Sequence, residues 1–83
     1  MAGYRLSIKA SAAKEIEGLG TKADRQRIVR RIQELAAEPR SSGSEKLAGY
    51  ADRYRVRQGQ FRIVYLVDDA RREVTIFKAG HRK

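Results

Sequence analysis

The densest group of chemically active side chains in this sequence lies in the segment RYRVRQGQFR, from Arg53 to Arg62. Arg53, Arg55 and Arg57 occupy every second position, and Arg62 follows the short sequence Gln-Gly-Gln. Because successive side chains of a strand point to opposite faces, the first three arginines are expected on one face. No acidic residue lies within the segment. Closely spaced like charges favour a bound anion, so the segment predicts a surface for phosphate or carboxylate.

The remaining side chains exclude several other kinds of site. The sequence has one His and no Cys, so neither a conventional zinc site nor a Cys-His nucleophile pair is expected. It has no Gly-rich phosphate loop or dinucleotide fingerprint, and the pair Asp68-Asp69 is typical of a turn. We therefore expect neither a metal nor a cofactor. A cationic surface interleaved with aromatic residues can hold an RNA backbone and stabilise charge on a reacting phosphate.

The composition predicts one small basic domain with a thin core. The chain has 83 residues, and its 19 Lys and Arg against 10 Asp and Glu give a net charge of +9. This balance favours nucleic acid or an acidic protein as a partner, although a basic surface without a partner is the simpler alternative. No apolar stretch is long enough for a membrane span or a signal peptide. The absence of Cys suits a reducing cytoplasm, where we expect the protein.

The elements that position the arginines follow from the hydrophobic periodicity. Residues 4–9 alternate between apolar and polar, which predicts a first strand. Helical spacing begins at Ser11, and a second helix is expected from Thr21 until Pro39 ends it. The two helices should form an antiparallel hairpin, because only a short link separates them. Residues 40–46 are polar and are expected to be a loop.

Three more strands are expected in the second half of the chain. Residues 53–67 read as an antiparallel hairpin that turns at Gly59, residues 68–71 as a turn, and residues 74–77 as a last strand that Gly80 ends. The order strand-helix-helix-strand-strand-strand predicts an α+β domain. In it, the helical hairpin covers one face of an antiparallel sheet.

Two segments, together with this order of elements, resemble a known family. The segments are KLAGYADRYRVRQGQFRIVYLVDD at 46–69 and AGHRK at 79–83. They are similar to the RelE/ParE toxin superfamily, most of all its RelE branch, which combines Leu-x-Gly, a basic hairpin, an aromatic-Arg pair and a Gly-His-Arg-like end. The resemblance covers nearly the whole chain, and it implies a single RelE-like domain over residues 1–83.

The resemblance also implies a function. RelE-like toxins of toxin–antitoxin pairs are ribosome-dependent endoribonucleases, in which a ribose 2′-hydroxyl of the mRNA attacks the neighbouring phosphate. The implied partners are the ribosome with its mRNA and an acidic cognate antitoxin. DNA is contacted only through the antitoxin, and no membrane is involved.

The family's functional positions can be carried over residue by residue. Its basic hairpin positions fall on Arg55 and Arg57, its third-strand arginine on Arg62, and its late arginine on Arg82. Because Arg keeps its proton near neutral pH, we assign these residues to phosphate binding and charge stabilisation rather than to general base catalysis. Histidine is the residue type that most often transfers protons in proteins, so His81 is a candidate for proton transfer, with a solvated residue at a strand end as the alternative.

Two other functions stay open at this point. ParE-like relatives inhibit a topoisomerase by binding it, and they usually lack clustered cations on the hairpin. RelE relatives usually continue beyond the Gly-His-Arg-like end to a tyrosine, whereas this sequence ends at Lys83. On that ground we also consider a weakened toxin, without the usual C-terminal tail, which acts mainly as a co-repressor with its antitoxin.

Residues outside this set receive simpler interpretations. The second helix carries four arginines: Arg25, Arg27, Arg30 and Arg31. They are interpreted as the solvated side of the helix, with contact to ribosomal RNA or antitoxin as the alternative. Leu47 and Tyr50 are expected to anchor the segment that enters the second strand, and Arg53 is expected to be solvated at the rim of the sheet.

Overall fold

A single five-stranded sheet carries both helices on one face in the computed structural model, which describes residues 3–40 and 43–81. The elements are β1 (Arg5–Ile8), α1 (Ala10–Glu17), α2 (Lys22–Ala37), β2 (Ser44–Lys46), β3 (Arg53–Gln58), β4 (Phe61–Asp68) and β5 (Glu73–His81). The strands lie in the order β1-β5-β4-β3-β2. Strands β2 to β5 are antiparallel neighbours, and β1 runs parallel to β5. The predicted α+β fold is therefore confirmed, with one parallel pair and one additional strand.

The additional strand β2 lies in the segment that the sequence predicts to be a loop. It pairs with β3, and Glu45 lies opposite Arg55. All three residues of β2 are polar, and two of them are exposed, because the strand forms an edge of the sheet. A strand without a buried face has no apolar alternation, so periodicity could not reveal it.

The last strand is longer than the sequence predicts. β5 continues through Gly80 to His81, because β4 supplies antiparallel partners as far as Phe61. The register shifts within this pair: Val64 lies opposite Lys78, whereas Tyr65 lies opposite Ile76. One residue of β5 is thus extra, and the strands form a bulge at Phe77.

The second helix begins and ends where the sequence indicates. The Thr21 hydroxyl accepts a hydrogen bond of 3.1 Å from the Asp24 backbone N–H, which caps the first turn. The helix stops at Ala37, just before the Glu38-Pro39 pair that cannot continue it. Within residues 3–40 and 43–81, neither helix has the length and apolar character that a membrane span requires.

The core lies between the helices and the sheet. The β4 residues Phe61, Ile63, Tyr65 and Val67 are buried, as the alternation predicts. They pack with residues of α2 and β5, namely Ile28, Ile32, Leu35, Val74, Ile76 and Ala79. We use the term open face for the sheet surface turned away from the helices. Along β3 and β4 it carries Arg53, Arg55, Arg57, Arg62, Val64 and Leu66.

A buried tyrosine connects the core to the end of the helical hairpin. Tyr65 is fully buried, and its hydroxyl donates a hydrogen bond of 2.6 Å to the carbonyl oxygen of Pro39. Burial raises the pKa of Tyr65 above its ordinary value. The bond satisfies a backbone acceptor after the last turn of α2, where no further helical partner follows.

Near this tyrosine, an exposed network joins four distant parts of the chain. The Arg40 guanidinium donates to both carboxylate oxygens of Asp69, at 3.1 and 2.9 Å, and to the Tyr54 hydroxyl at 2.9 Å. The Tyr4 hydroxyl donates to the same carboxylate at 2.7 Å. The hydrogen bonds from Arg40 and then Tyr4 hold the pKa of Asp69 below its usual range. These contacts attach the loop after α2 to β3, to the β4–β5 turn and to the segment before β1.

We expect Tyr65→Phe to lower the free energy of unfolding by about 1–3 kcal/mol, because it leaves a buried carbonyl without its donor and opens no cavity. Denaturant titration measures the loss. Tyr4→Phe is the matched control, because it removes a tyrosine hydroxyl from an exposed contact that Arg40 still maintains. An equal loss in both variants would contradict a special role for the buried bond.

Candidate functional site

A tight turn positions the arginines at one end of the sheet. Gln58 lies opposite Phe61, so only Gly59 and Gln60 form the loop between β3 and β4. Gly59 has a φ of 62°, in the left-handed region that a two-residue hairpin requires and that Gly adopts at little cost. The next pair in the register consists of Arg57 and Arg62. The sequence of the turn therefore sets these two arginines directly opposite each other.

The pair Arg57 and Arg62 concentrates positive charge on the open face. Side chains opposite each other in antiparallel strands have Cβ atoms roughly 4.5–5.5 Å apart, and like charges there repel. No acidic side chain in the described residues forms an ion pair with either arginine. Arg62 is flanked on its other side by Gly80 of β5, which carries no side chain. The two guanidinium groups are therefore available to an anion from outside the protein.

The third hairpin arginine has a different environment. Arg55 Nε lies 3.0 Å from the Glu45 carboxylate on β2, its cross-strand partner. The two side chains are 37% and 62% exposed, so the ion pair contributes little to stability. It nevertheless compensates the charge of Arg55. The structure thus brings Arg55, Arg57 and Arg62 onto one surface and leaves two of them without an acid.

His81 lies on the other side of the sheet from these arginines. It is the β5 partner of Phe61, and the two rings are tilted with their centroids 4.8 Å apart. The Phe61 ring belongs to the core on the helix side. A cleft of about 400 Å³ adjoins both rings and is also lined by Gly20, Asp24, Arg27, Gln58, Gly59 and Gln60. His81 is exposed there, away from Arg57 and Arg62; Arg82 lies outside the described residues.

Arg53 contacts two aromatic rings, whereas the sequence predicts a solvated residue at the rim of the sheet. Its guanidinium carbon lies 4.5 Å from the ring centroid of Tyr50 and 4.9 Å from that of Phe77. Tyr50 is 49% exposed and supports Arg53, instead of being buried as an anchor. The alternation of β3 predicts the face on which Arg53 lies. It cannot show the bulge at Phe77 or the path of the loop that carries Tyr50.

A groove lies on the outer side of the two helices. It has a volume of about 620 Å³ and is lined by Ile16, Glu17, Lys22, Arg25, Gln26, Val29, Arg30 and Gln33. Val29 is 41% exposed at its apolar floor, and three cations stand around it. We refer to these eight residues as the helix groove. Its apolar floor with a basic rim suits an amphipathic segment that carries acids.

The described residues of the candidate site offer cations rather than clustered metal ligands. Across residues 3–40 and 43–81, His, Asp and Glu do not gather in groups of three or more that could hold a metal ion. The guanidinium groups of Arg57 and Arg62 can each donate charge-assisted hydrogen bonds to phosphate oxygens. Such donors stabilise negative charge that develops on a phosphate during reaction.

Comparison with protein families gives one match over almost the whole chain. A family model described as "ParE toxin of type II toxin-antitoxin system, parDE" matches residues 6–83. No curated protein sequence matches the chain.

Several solved structures share the fold. The toxin–antitoxin complex RelBE2 of Mycobacterium tuberculosis gives a TM-score of 0.85 at 23% identity over 98% of this chain and 100% of that one, which is a likeness of fold. The isolated RelE toxin of E. coli gives a TM-score of 0.83 at 28% identity, and the match covers 96% of this chain and 85% of that one. The archaeal RelE-RelB complex of Pyrococcus horikoshii OT3 gives a TM-score of 0.79 at 28% identity, and the match covers 98% of this chain and 97% of that one.

The facing arginines predict a salt-dependent effect on stability. We expect Arg62→Gln to raise the free energy of unfolding by about 0.2–1 kcal/mol at low ionic strength, because it removes repulsion from Arg57. At about 1 M salt the difference should nearly vanish, since the charges are screened. Arg55→Gln is the matched control and should give no gain, because it breaks the ion pair with Glu45. Lower stability of Arg62→Gln at low salt would contradict the idea.

Proposed function

Because the chain belongs to the ParE toxin family of type II toxin–antitoxin systems, within the RelE/ParE superfamily, we propose that it acts as a RelE-like endoribonuclease on ribosome-bound mRNA. It is the toxin of such a module, and its structure is RelE-like. The proposal adds the reaction and the substrate: cleavage of message in the cytoplasm, which stops translation.

The observation that carries this proposal is the pair of facing arginines on the open face. Natural sheets avoid like charges at directly opposite positions, because the repulsion lowers stability. Arg57 and Arg62 hold such positions, and no acidic group among the described residues is paired with them. A phosphate placed between the two guanidinium groups removes the repulsion and gains hydrogen bonds from both. The substrate thereby supplies the counter-charge that the protein lacks.

In the proposed reaction, the 2′-hydroxyl of one nucleotide loses its proton to water, and its oxygen forms a bond to the adjacent phosphorus. The bond from phosphorus to the 5′-oxygen of the next nucleotide breaks, that oxygen takes a proton from water, and a 2′,3′-cyclic phosphate remains. Negative charge accumulates on the non-bridging oxygens as the attack proceeds. Arg57 and Arg62 stabilise that charge and hold the phosphate in line with the attacking oxygen. Arg55 contributes less, because its guanidinium must first release Glu45.

Proton transfer has a smaller part in this proposal than charge stabilisation. Arginine is a poor proton donor or acceptor in catalysis, so Arg57 and Arg62 are assigned no proton transfer. His81 is the partner of Phe61 on the helix side of the sheet, so its imidazole does not share the arginine surface. We therefore assign Arg55, Arg57 and Arg62 to binding, orientation and electrostatic stabilisation, and we keep His81 and Arg82 as candidates that mutation must test.

A second candidate function comes from the family model, which is named for ParE toxins. A ParE-like toxin inhibits a topoisomerase by binding it and has no chemistry of its own. The two functions differ in what they require of the open face. Cleavage requires the unpaired arginines at their observed positions, whereas inhibition by binding does not require a phosphate site there.

The antitoxin is the proposed protein partner. The M. tuberculosis and P. horikoshii relatives were solved in complexes with their antitoxins. For this chain we infer an acidic antitoxin that places apolar side chains in the helix groove and carboxylates beside its cationic rim. Complementary charge speeds association with a protein of net charge +9, and burial of Val29 adds apolar contact.

Removal of one facing arginine should stop cleavage. We expect Arg62→Ala to reduce cutting of ribosome-bound message about 100- to 1,000-fold, which is the effect of losing one donor to a developing oxyanion. Mapping of mRNA ends after translation in a purified system measures the cuts. Arg55→Ala is the control on the same face, and its loss should be smaller.

If Arg62→Ala cuts message as well as the parent does, Arg62 has no role in the reaction. Intact message together with arrested DNA supercoiling would favour the topoisomerase inhibitor instead. Thermal unfolding of each variant shows whether a loss of cutting reflects a loss of fold.

The helix groove should determine antitoxin affinity. We expect antitoxin at about 100 times its Kd to stabilise the toxin by about 2.7 kcal/mol, since it binds the folded state only. Val29→Glu should reduce this shift, because it places a charge on the apolar floor and repels an acidic segment. Ala70→Glu, which adds the same charge in the exposed β4–β5 turn, is the matched control. If the antitoxin stabilises both variants equally, it binds outside the helix groove.

A further inference from the structure

A second cluster on the open face lies apart from the facing arginines. It consists of Tyr50, Arg53 and Phe77, with Lys9 beside it, and we call it the stacking cluster. We propose that the stacking cluster is a separate RNA subsite, which stacks a nucleobase on Tyr50 and holds a phosphate on Arg53. The inference rests on the proposed function, because the strand bound here is the one that Arg57 and Arg62 act upon.

The rings hold the guanidinium in a defined position. The guanidinium carbon of Arg53 lies 4.5 Å from the Tyr50 ring centroid and 4.9 Å from the Phe77 ring centroid. Nζ of Lys9 lies 5.0 Å from the Phe77 ring centroid. Cations at these distances are attracted to the rings. Contact with two rings restricts the orientation of Arg53 before any ligand binds, which reduces the entropy lost on binding.

The polar edge of Arg53 remains unused by the protein. Among residues 3–40 and 43–81, Arg53 forms no ion pair and donates no side-chain hydrogen bond. Contacts with aromatic rings use the flat faces of a guanidinium, and its N–H groups lie around the edge. A phosphate oxygen at that edge accepts charge-assisted hydrogen bonds without disturbing either ring contact.

Tyr50 supplies the aromatic surface. It is 49% exposed, so part of its ring surface is accessible to a ligand. An exposed flat ring beside fixed cations is the combination by which proteins bind single-stranded nucleic acid, since every base has a face that can stack. An acidic peptide would use the cations but would gain little from the ring, so these features favour RNA.

The position of the cluster fits one continuous strand of RNA. Arg53 and Arg57 lie on the same face of β3, four residues apart, which corresponds to about 13 Å along the strand. Between them on this face lie Arg55 and the half-buried Val64, and no other described element covers the surface. A few nucleotides of an extended strand can therefore contact both the stacking cluster and the facing arginines.

Binding of an unstructured oligouridine to the full chain, measured by fluorescence anisotropy over a range of salt, tests this subsite. We expect Tyr50→Ala to weaken binding about 5- to 100-fold with an unchanged salt dependence, because it removes stacking and no charge. Tyr50→Phe should bind like the parent. Arg53→Gln should weaken binding and reduce the slope of log K against log salt by about 0.7, the contribution of one phosphate contact to a single strand.

The controls separate this subsite from general basicity and from misfolding. Lys14→Gln removes one exposed cation from α1, on the opposite side of the sheet, and should leave both affinity and slope unchanged. Tyr50→Leu keeps an apolar side chain without a flat ring and should resemble Tyr50→Ala, so the test does not depend on a single variant. Thermal unfolding confirms that each variant is folded.

Three outcomes overturn the inference. The first is no measurable binding of oligouridine by the parent, and the second is parental binding of oligouridine by both Tyr50→Ala and Arg53→Gln. The third is that these two variants lose binding to poly-glutamate, an acidic peptide, while their binding to oligouridine is unchanged. Failure of the proposed function is distinguishable. If message stays uncut while Tyr50→Ala and Arg53→Gln still weaken RNA binding as expected, the subsite stands and the endoribonuclease does not. If message is cut but these variants bind RNA normally, only the subsite is wrong.

Discussion

One helical hairpin can cover one face of this sheet and no more. Five strands at about 4.8 Å spacing make a sheet roughly as wide as two helices of about 10 Å laid side by side. Both helices are used on the side of Ile63 and Tyr65, where the core forms. The opposite face has no covering element among the described residues and must therefore carry polar groups. In this chain those groups are mainly arginines, so the constraint that creates the core also creates the candidate site.

The charges on the two ends of the sheet are arranged differently. At the end where β4 turns into β5, the cation Arg40 is compensated: it is bound by Asp69 and Tyr54, and these contacts bring distant segments together. At the β3–β4 turn, Arg57 and Arg62 face each other without an acid. Contacts between distant segments thus lie at one end, while the other end keeps a repulsion that an anion relieves. Strain at a functional site with compensation elsewhere is a common arrangement in proteins.

The matching family model is named for ParE toxins, whereas the solved structures that share the fold are RelE toxins. A shared fold does not decide the function, because function resides in the residues placed on it. In this chain the placement differs for residues that are close in sequence. Gly80 lies beside Arg62 on the open face, whereas His81 contacts Phe61 on the helix side. Successive residues of a strand point to opposite faces, which explains the separation.

The sequence by itself determined the features that depend on local periodicity. The strong alternation of β4, the helical stripe and cap of α2 and the Gly59 turn each act through neighbouring residues, so the α+β fold and the face of each hairpin arginine could be predicted. The short polar strand β2 could not be predicted, because an edge strand needs a partner and no buried face.

Only the tertiary structure decided which cations remain uncompensated. The pairing of Arg55 with Glu45 depends on β2, and the position of Arg53 between Tyr50 and Phe77 depends on a loop path and a bulge. These contacts join residues from separate strands and a loop, and no pattern within one segment encodes them. The sequence therefore determined how much positive charge the open face carries. The packing of β2, β5 and the loop before β3 decided where that charge stays free to meet a ligand.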